Sequence, residues 1–449
     1  PYNVYGGLQD NGVWMAKNNS VESPSWYESG HNNWTKIMGG DGMQIQIDNR
    51  DNDIVYTGLQ FGNYYRLNLS ESTRKNIKPK HMLGDSPLRF NWQTPILLSS
   101  HNQDILYFGS NKLHRSFNKG DTWHEISGDL SYGGKKGNVP YGTITSFDES
   151  SFKFGKIVVG SDDGKVSITE NSGETWSLIN LDLPKNLWVS RVIFSNHNEN
   201  RIYISLNGYR TNDFKPYLFV SDNNGKSWKN ISSNLPLSPI NVIKEDFNKQ
   251  QILYVGTDNG VFVSLDSGEQ WHPFSNSLNR VAVHDLVIQK DKNELLLGTH
   301  GRSIYKTQLN VFSDYLEKKS SDSEITIIGI DGPKYSNRWG EINKSESIII
   351  DKSELPSSSY IQVDLFSEVT SSVEYILMNN NKKILKSGMV DLDKGFNKIK
   401  LRPTVSKNLS EKQLKKLVDQ YKIGDDGDVY FGKGKFIFRI GTTSKEFLV

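Results

Sequence analysis

Aspartates close to glycines are the residues of this chain best suited to chemistry. A glycoside hydrolase needs two carboxyl groups across the scissile bond, about 5–5.5 Å apart for retention of configuration or roughly 6.5–9.5 Å apart for inversion. The available acids are Asp41 with Asp10, or Asp162 and Asp163 with Asp258. Because Asp-Asn-Gly and Asp-Asp-Gly are also common turn sequences, a turn role is favoured for all of them except Asp41, which lies between two glycines. Asp41 and Asp10 are therefore the candidates for catalysis.

The elements that would position these acids are indicated by a repeated eight-residue turn. "SFNKGDTW" (residues 116–123) returns as "TENSGETW", "SDNNGKSW" and "SLDSGEQW", with starts about 40 to 55 residues apart, a period that suits propeller blades. The third residue can accept hydrogen bonds from the following backbone N–H groups, and the glycine supplies a positive φ. The tryptophan should anchor the turn between neighbouring sheets. The residues with this structural role are Asn118 and Trp123, Asn171 and Trp176, Asn223 and Trp228, and Asp266 and Trp271.

This turn resembles the Asp-box, S-x-D-x-G-x-T-W, of sialidases, sortilin-type receptors and two-propeller glycoside hydrolases. Only Asp266 keeps the acid, and the other three turns carry Asn. In those families the box is structural and lies on the rim of a propeller blade, so the resemblance implies that these residues stabilise the fold. A sialidase would also need three arginines around a carboxylate, and the spacing of the available arginines does not assemble them. They are Arg89, Arg191, Arg210 and Arg302.

Units that read strand, glycine-bearing turn, strand recur seven times and indicate the number of blades. They are "NVYGGLQDNGVWMA", "DIVYTGLQFGNYYRL", "DILYFGSNKLHRS", "KIVVGSDDGKVSIT", "RIYISLNGYRTNDFKPYLFVS", "QILYVGTDNGVFVS" and "ELLLGTHGRSIYKT". An apolar run precedes each unit except the first, and no outer strand is recognisable after the last. Either these two ends complete each other or upstream chain supplies the missing strand. The sequence therefore predicts an all-β fold with a seven-bladed β-propeller over residues 1–309.

One face of this propeller is the candidate binding surface. In a four-stranded up-and-down blade, the turn between the second and third strands lies opposite the turn that carries the Asp-box. The glycine turns should therefore meet the blade connectors "GGDG" and "RFNWQTP" around the mouth of the axial channel. The candidate binding residues are Gln9, Asp10, Asn11, Asp41, Trp92, Asp162, Asp163, Asp258, His300 and Arg302.

The succession of these motifs supports a closer resemblance. "GGLQDNG", "GGDG", "RFNWQTPI", "YVGTDNGVFVSLDSGEQW" and "GTHGRSIY" together are similar to the C-terminal half of large bacterial Asp-box (BNR) repeat proteins, which are sortilin-like or glycosyl-hydrolase-like. The similarity covers about residues 1–309. It implies that a preceding propeller faces this one. It also implies export to the bacterial cell surface, the outer membrane or the extracellular space, and it fixes no activity.

The C-terminal part of the chain has a different pattern. Residues 310–323 are polar and lack strand periodicity, which predicts a linker. Residues 324–449 alternate as in a small antiparallel sandwich, and they resemble the immunoglobulin-like (Ig-like) domains appended to bacterial surface proteins. One inserted helix is predicted in "SEKQLKKLVDQYK", where Ser410 is the N-cap and Gln413 follows three residues later.

Composition excludes several classes of protein. The 53 Lys and Arg residues nearly balance the 51 Asp and Glu residues, which leaves no broad field to attract nucleic acid. There is no cysteine, so disulfides and thiolate chemistry are excluded. The apolar runs are too short to span a membrane as a helix, and the nine histidines show no metal-ligand spacing. We therefore predict no cofactor and assign no metal site, and calcium at the Asp-rich turn "GDDGDV" (residues 424–429) stays an open alternative.

These observations favour a binding or scaffold protein over an enzyme. The propeller face would bind a protein, peptide or glycan, and the chain would belong to a larger surface assembly that includes an upstream propeller or other subunits. In a purely architectural version, the propeller is a rigid platform and the sandwich is the docking element. The alternative is a glycoside hydrolase that uses paired Asp carboxylates in a cleft completed by the upstream propeller.

Overall fold

The computed structural model describes residues 1–20, 33–180, 186–274, 278, 280–319, 323–337, 339–340, 359–406, 410–418 and 421–449. Over these residues the protein is all-β and consists of antiparallel sheets with two short α-helices. The chain divides into two compact units. The first contains Pro1–Trp271 and Arg280–Thr307, and the second contains His272–Asn279 and Gln308–Val449.

In the first unit, the described strands form seven sheets that follow one another in chain order. The first sheet contains β1 (Asn3–Leu8), β2 (Gly12–Lys17) and β3 (Thr35–Met38), and the second contains β4 (Ile45–Ile47), β5 (Ile54–Leu59), β6 (Asn63–Asn68) and β7 (Thr73–Asn76). The third contains β8 (Ile96–Leu98), β9 (Leu106–Gly109), β10 (Leu113–Ser116) and β11 (His124–Glu125), and the fourth contains β12 (Ile144–Glu149), β13 (Ile157–Ser161), β14 (Val166–Thr169) and β15 (Ser177–Ile179). The fifth contains β16 (Trp188–Phe194), β17 (Ile202–Gly208), β18 (Asp213–Ser221) and β19 (Lys229–Asn230), the sixth contains β20 (Ile240–Glu245), β21 (Leu253–Thr257) and β22 (Gly260–Ser264), and the seventh contains β24 (Val283–Gln289), β25 (Glu294–Thr299) and β26 (Ile304–Gln308).

Each sheet packs against the next one in the chain. For example, Val158 and Val166 of one sheet share a buried apolar cluster with Val189 and Ile204 of the following sheet. The last sheet also reaches the first, because the Tyr2 hydroxyl donates a hydrogen bond to Glu294 Oε2 at 2.5 Å. The sheets therefore make contacts in a closed cycle.

The second strand of a sheet is covered by neighbours on both faces. All residues of β13, β17 and β21 are buried, and their sequences are nearly continuous apolar runs rather than alternating ones. The sheets approach closely at Gly160, where a Cβ atom would lie 2.3 Å from Val189 Cγ1. Glycine is required there because a side chain would push the sheets apart.

The four Asp-box turns share one hydrogen-bonding pattern. In the first, Ser116 Oγ accepts a bond from the Gly120 N–H at 2.9 Å, and Asn118 Oδ1 accepts one from the Thr122 N–H at 2.8 Å. Equivalent bonds occur in the other three turns. The turn glycines have positive φ, and Gly173, at +93°, would also place a Cβ atom 2.3 Å from Ile126 O.

Three of the Asp-box tryptophans join their own sheet to the preceding one. The indole N–H groups of Trp123, Trp176 and Trp271 donate to the backbone carbonyls of Ile77, Ile126 and Ile231, at 2.8, 2.9 and 2.7 Å. Each accepting isoleucine is the residue after the outer strand of the preceding sheet. We call this contact the indole interlock.

Trp228 departs from this pattern, although it packs in the same place. Its indole N–H donates to Gly225 O within its own turn at 3.1 Å. Its ring lies against the buried cluster that contains Ile179 of the preceding sheet. The position therefore keeps the apolar contact and lacks the bond between sheets.

The second unit contains further antiparallel sheets and both α-helices among the described residues. The bounds are β23 (His272–Pro273), α1 (Asn310–Lys318), β27 (Ile325–Asp331), β28 (Ile361–Ser367), β29 (Ser371–Asn379), β30 (Ile384–Leu392), β31 (Gly395–Leu401), α2 (Glu411–Leu417), β32 (Tyr421–Ile423), β33 (Val429–Phe431), β34 (Lys435–Ile440) and β35 (Thr443–Leu448). The sheet β27-β28-β31 and the sheet β30-β29-β34-β35 share one buried apolar cluster, to which Leu414 of α2 also belongs. Ser410 and Gln413 form the capping box that the sequence predicted. The alternating run "SIIID" (residues 347–351), part of the predicted sandwich, lies outside the described residues.

The segment predicted as a linker, residues 310–323, differs in structure from that expectation. Its first nine residues form α1, in which Phe312 and Tyr315 are buried. The Phe312 ring lies 4.9 Å from that of Phe396, and the Tyr315 ring lies 4.4 Å from that of Phe366. The two aromatic residues are one helical turn apart, so only a helix turns both toward the same face.

The indole interlock predicts a large loss of stability on truncation. We expect Trp271→Ala to lower the free energy of unfolding of the first unit by about 3–5 kcal/mol, because the side chain is fully buried and Ile231 O loses its donor. The matched control is Phe117→Ala in the first Asp-box, where the ring is 50 % exposed and the cost should stay below about 1 kcal/mol. Urea denaturation followed by tryptophan fluorescence measures both, and equal losses would contradict the interlock.

Candidate binding face

The turns between second and third strands, together with the connectors that enter the innermost strands, form one edge of the first unit. We call this edge the turn face. The Phe61 N–H donates to Trp92 O at 3.1 Å, and the Gly42 N–H donates to Leu8 O at 2.9 Å. Both bonds join a glycine turn to the connector of the following sheet. The turns and the connectors "GGDG" and "RFNWQTP" therefore meet, as the strand order requires.

Asp10 and Asp41, the two candidates for catalysis, are neighbours on this face. Asp41 is buried at 9 % exposure, and its Oδ1 accepts a hydrogen bond from the Asp10 N–H at 2.7 Å. Asp10 is exposed and has a φ of 62°, so this bond holds a left-handed turn residue in place. Gln9 and Asn11 are exposed beside it. The Asp41 carboxylate thus supports the backbone of the turn.

Asp162 and Asp163 lie beneath the turn face. Each is 3 % exposed. Asp162 accepts bonds from the N–H groups of Gly142 and Thr143 and from the Thr143 hydroxyl, at 3.0, 2.9 and 2.7 Å. Asp163 accepts from the Tyr132 N–H at 2.6 Å and from the Ser161 hydroxyl at 2.5 Å. Burial raises the pKa of Asp162. These two carboxylates hold loops together and are inaccessible to a ligand.

An aromatic pair marks the exposed surface above the connector of the third sheet. Trp92 is 41 % exposed, and its ring meets the Phe61 ring edge to face with centroids 5.1 Å apart. Such a pair offers a rigid apolar contact to a partner at little cost in conformational entropy. Arg302 is exposed in the turn of the last sheet.

Asp258 and His300 belong to a group that we call the polar cluster, together with Trp188, Arg210 and His284. The rings of His284 and His300 lie 5.1 Å apart, and the Arg210 guanidinium lies 3.9 Å above the Trp188 ring. Asp258 Oδ1 accepts a bond at 2.8 Å from Asn241, which in turn accepts one from Asn207 at 2.8 Å. The fifth, sixth and seventh sheets each contribute at least one member.

Members of the polar cluster shift the pKa of His284 in both directions. Its side chain reaches solvent, but the protein atoms around it remove part of its hydration, and this desolvation lowers the pKa of His284. The neighbouring His300 lowers that pKa further. Asp258 raises the pKa of His284, whereas Arg210 lowers it. His284 is therefore a neutral hydrogen-bonding group near neutral pH.

Sequence reasoning missed three members of the cluster. Arg210 lies in the turn of the fifth unit, three residues after Asn207, which is the residue that corresponds there to Asp258 and His300, so an alignment of the units by turn position would not have found it. Trp188 and His284 lie at the starts of the innermost strands β16 and β24, next to the connectors. Their contacts join distant parts of the chain, and no local pattern encodes them.

The described residues contain no group of three or more His, Cys, Asp or Glu side chains arranged to hold a metal ion. Within that same part of the chain, no helix has the length and apolar character needed to cross a bilayer.

Comparison with known proteins supports the fold. Residues 216–365 match the family model Sortilin-Vps10, described as "Sortilin, neurotensin receptor 3". The GH74 xyloglucanase from Xanthomonas campestris is a similar solved structure, with a TM-score of 0.50 and 17 % identity, over 68 % of this chain and 50 % of that one. A second similar structure is the extracellular domain of the putative hybrid two component system BT3049 from B. thetaiotaomicron. Its TM-score is 0.49 and its sequence identity is 10 %, and the match covers 99 % of this chain and 53 % of that one.

The chain thus spans about half the length of these two solved structures. No curated protein matches it significantly. The matches confirm the resemblance to sortilin-like Asp-box propeller proteins and the all-β, propeller-like fold.

The charges of the polar cluster predict opposite effects of two substitutions on His284. His300→Asn should raise the pKa of His284, because His300 acts to lower it, and Asp258→Asn should lower that pKa, because Asp258 acts to raise it. NMR titration of the histidine ring C–H signals measures both values. Shifts in the same direction, or a wild-type pKa above 6.5, would contradict the arrangement.

Proposed function

We propose that the first unit is a seven-bladed β-propeller whose turn face binds a polypeptide or glycan of a partner. The seven sheets in chain order and the contact between Tyr2 and Glu294 support the blade count. The second unit, with two sheets around one apolar core, is proposed as an Ig-like sandwich.

The observation that carries the binding proposal is the convergence of solvent-accessible recognition groups from different sheets on one face. Trp92 with Phe61 offers an apolar contact, and Arg210 stacked on Trp188 offers a fixed planar donor. Aromatic side chains and arginines are the residues that contribute most to binding energy at interfaces. Loop carboxylates beneath the face keep this surface pre-organised, which lowers the cost of ordering it on binding.

An exported scaffold is the context that fits these features best. The indole interlock gives a rigid platform, and the second unit is a compact additional module that could attach the platform to an assembly. The resemblance to sortilin-like proteins supports a location outside the cytoplasm.

Glycoside hydrolysis is not favoured for the described chain. Asp41 supports the turn of Asp10, and Asp162 and Asp163 are buried and accept several hydrogen bonds from their loops. Asp258 is held by Asn241. A general acid and a nucleophile or base must instead face the substrate.

The test is a screen of the purified protein against glycan and peptide arrays, followed by titration of the ligands found. We expect the double variant Trp92→Ala/Arg302→Ala, and separately Arg210→Ala, to weaken binding at least about tenfold, as loss of interface hot spots does. Phe117→Ala, which removes another exposed aromatic side chain but in an Asp-box, is the control and should bind like the wild type. Unchanged binding by the double variant and by Arg210→Ala, with melting temperatures intact, would contradict the proposal.

A further inference from the structure

A second candidate site lies at the opposite ends of the innermost strands. The turn face is at the starts of β12, β16, β20 and β24, whereas a cavity of about 290 Å³ lies where these four strands end. Its lining includes Asp148 of β12, Phe194 of β16, Lys244 of β20 and Val287 of β24. This cavity shares no residue with the turn face.

The carboxylates Glu149 and Glu245 at this cavity are already occupied. Glu149 accepts bonds from the hydroxyls of Ser99 and Tyr107, at 2.5 and 2.7 Å, and from the Gly155 N–H at 3.0 Å. Glu245 accepts from the hydroxyls of Ser195 and Tyr203, at 2.8 and 2.9 Å, and from the Asn196 N–H at 2.7 Å. Both bridge neighbouring sheets.

Asp148 is a third hydrogen-bond acceptor at this cavity, and it keeps capacity for further bonds. It accepts from the N–H groups of Glu149 and Phe194, at 3.0 and 2.9 Å. Burial raises its pKa to about 6, and the charge of Lys244 acts against that rise. At neutral pH the carboxylate is ionised and attracts the ammonium of Lys244 from a distance.

Two hydrogen-bond donors at this cavity also have unused capacity. Among the described residues, the Lys244 ammonium has no hydrogen bond or ion pair. Burial lowers its pKa, and the neighbouring Arg191 lowers it further. Arg191 binds Asp285 at 3.0 Å, yet its buried Nε has no partner within the described part of the chain. Lys290 also lines the cavity, with its ammonium 4.0 Å from the Phe247 ring centroid. A ligand that enters can therefore bring an acceptor to the ammonium of Lys244, and a carboxylate is an acceptor that forms a charge-assisted hydrogen bond with such a group.

One wall of the cavity is apolar. Val287 is 52 % exposed and Phe247 is 39 % exposed, and both line the cavity. An inorganic anion would leave this wall in contact with water, whereas an apolar body would cover it.

We propose that this cavity binds a small organic carboxylate, with the carboxylate group at Lys244 and the apolar body against Val287 and Phe247. The site is distinct from the turn face, so the two can be occupied together. A result against binding at one of these two sites leaves the proposal for the other site unaffected.

The test is isothermal titration calorimetry of the full chain with phenylacetate, which has one carboxylate and one apolar ring. Three matched probes separate the alternatives: 2-phenylethanol lacks the charge, acetate lacks the ring, and inorganic phosphate is a different anion. We expect phenylacetate to bind, and each of the other three to bind at least about tenfold more weakly, since a buried charged hydrogen bond or an apolar ring each contributes that much.

Variants then test whether phenylacetate binds in this cavity. Lys244→Met keeps the length of the side chain without its charge and should weaken phenylacetate binding at least about tenfold. Val287→Glu puts a carboxylate on the apolar wall, leaves Lys244 in place, and should do the same. Lys292→Met, an exposed lysine that does not line the cavity, is the control and should bind like the wild type. Circular dichroism and melting temperature confirm that each variant is folded.

Three results would overturn the proposal. They are no phenylacetate binding by the folded wild type, unchanged binding by either cavity variant, and phosphate binding as tight as that of phenylacetate.

Discussion

The bond between a tryptophan indole of one sheet and a backbone carbonyl of the preceding sheet is the constraint on which the first unit depends. Twisted sheets with apolar faces could slide over one another, because apolar contacts have no direction. The bonds from Trp123, Trp176 and Trp271 add that direction and fix the distance between neighbouring sheets at their outer strands. Glycine allows the turn to approach, since a side chain at Gly173 would collide with Ile126 O.

Once the outer strands are fixed, the two ends of the innermost strands have different surroundings. At one end the glycine turns and connectors meet, and buried carboxylates such as Asp162 and Asp163 tie these loops down. At the other end, Glu149 and Glu245 bridge neighbouring sheets and leave Lys244 without a bonding partner among the described residues. The same arrangement of sheets thus produces an exposed face at one end of these strands and a partly open cavity at the other. We propose the first as the surface for a macromolecular partner and the second as the site of a small organic carboxylate.

Much of the fold could be predicted because the information is local. The Asp-box turn, the glycine turns and the capping box at Ser410 each depend on residues within a few positions of one another. The accepting isoleucines were missed, although two of the three carry a local signal: Ile126 and Ile231 each follow an Asp-box tryptophan by three residues. Helix α1 was missed because its residues are mostly polar, and Phe312 and Tyr315 become core residues only through Phe396 and Phe366, which lie far along the chain.

The candidate site was less predictable than the fold. The sequence identified Asp10, Asp41, Trp92, Asp258 and His300 as members of one face, and the contacts of that face bring them to the glycine turns and connectors. It did not separate exposed residues from the buried Asp162 and Asp163, since burial of a turn carboxylate depends on a loop about twenty or more residues away. Electrostatic coupling of His284 to Arg210 depends on packing between sheets, which no single unit contains.

The most direct test of the account is hydrogen exchange of the tryptophan indole N–H groups in protein labelled with ¹⁵N-tryptophan. The chain has ten tryptophans, so the signals can be assigned individually by substitution. We expect the indoles of Trp123, Trp176 and Trp271 to exchange slowly and at similar rates, because their release requires neighbouring sheets to separate, while the exposed Trp92 exchanges rapidly. Exchange of those three indoles as fast as that of Trp92 would contradict the central claim.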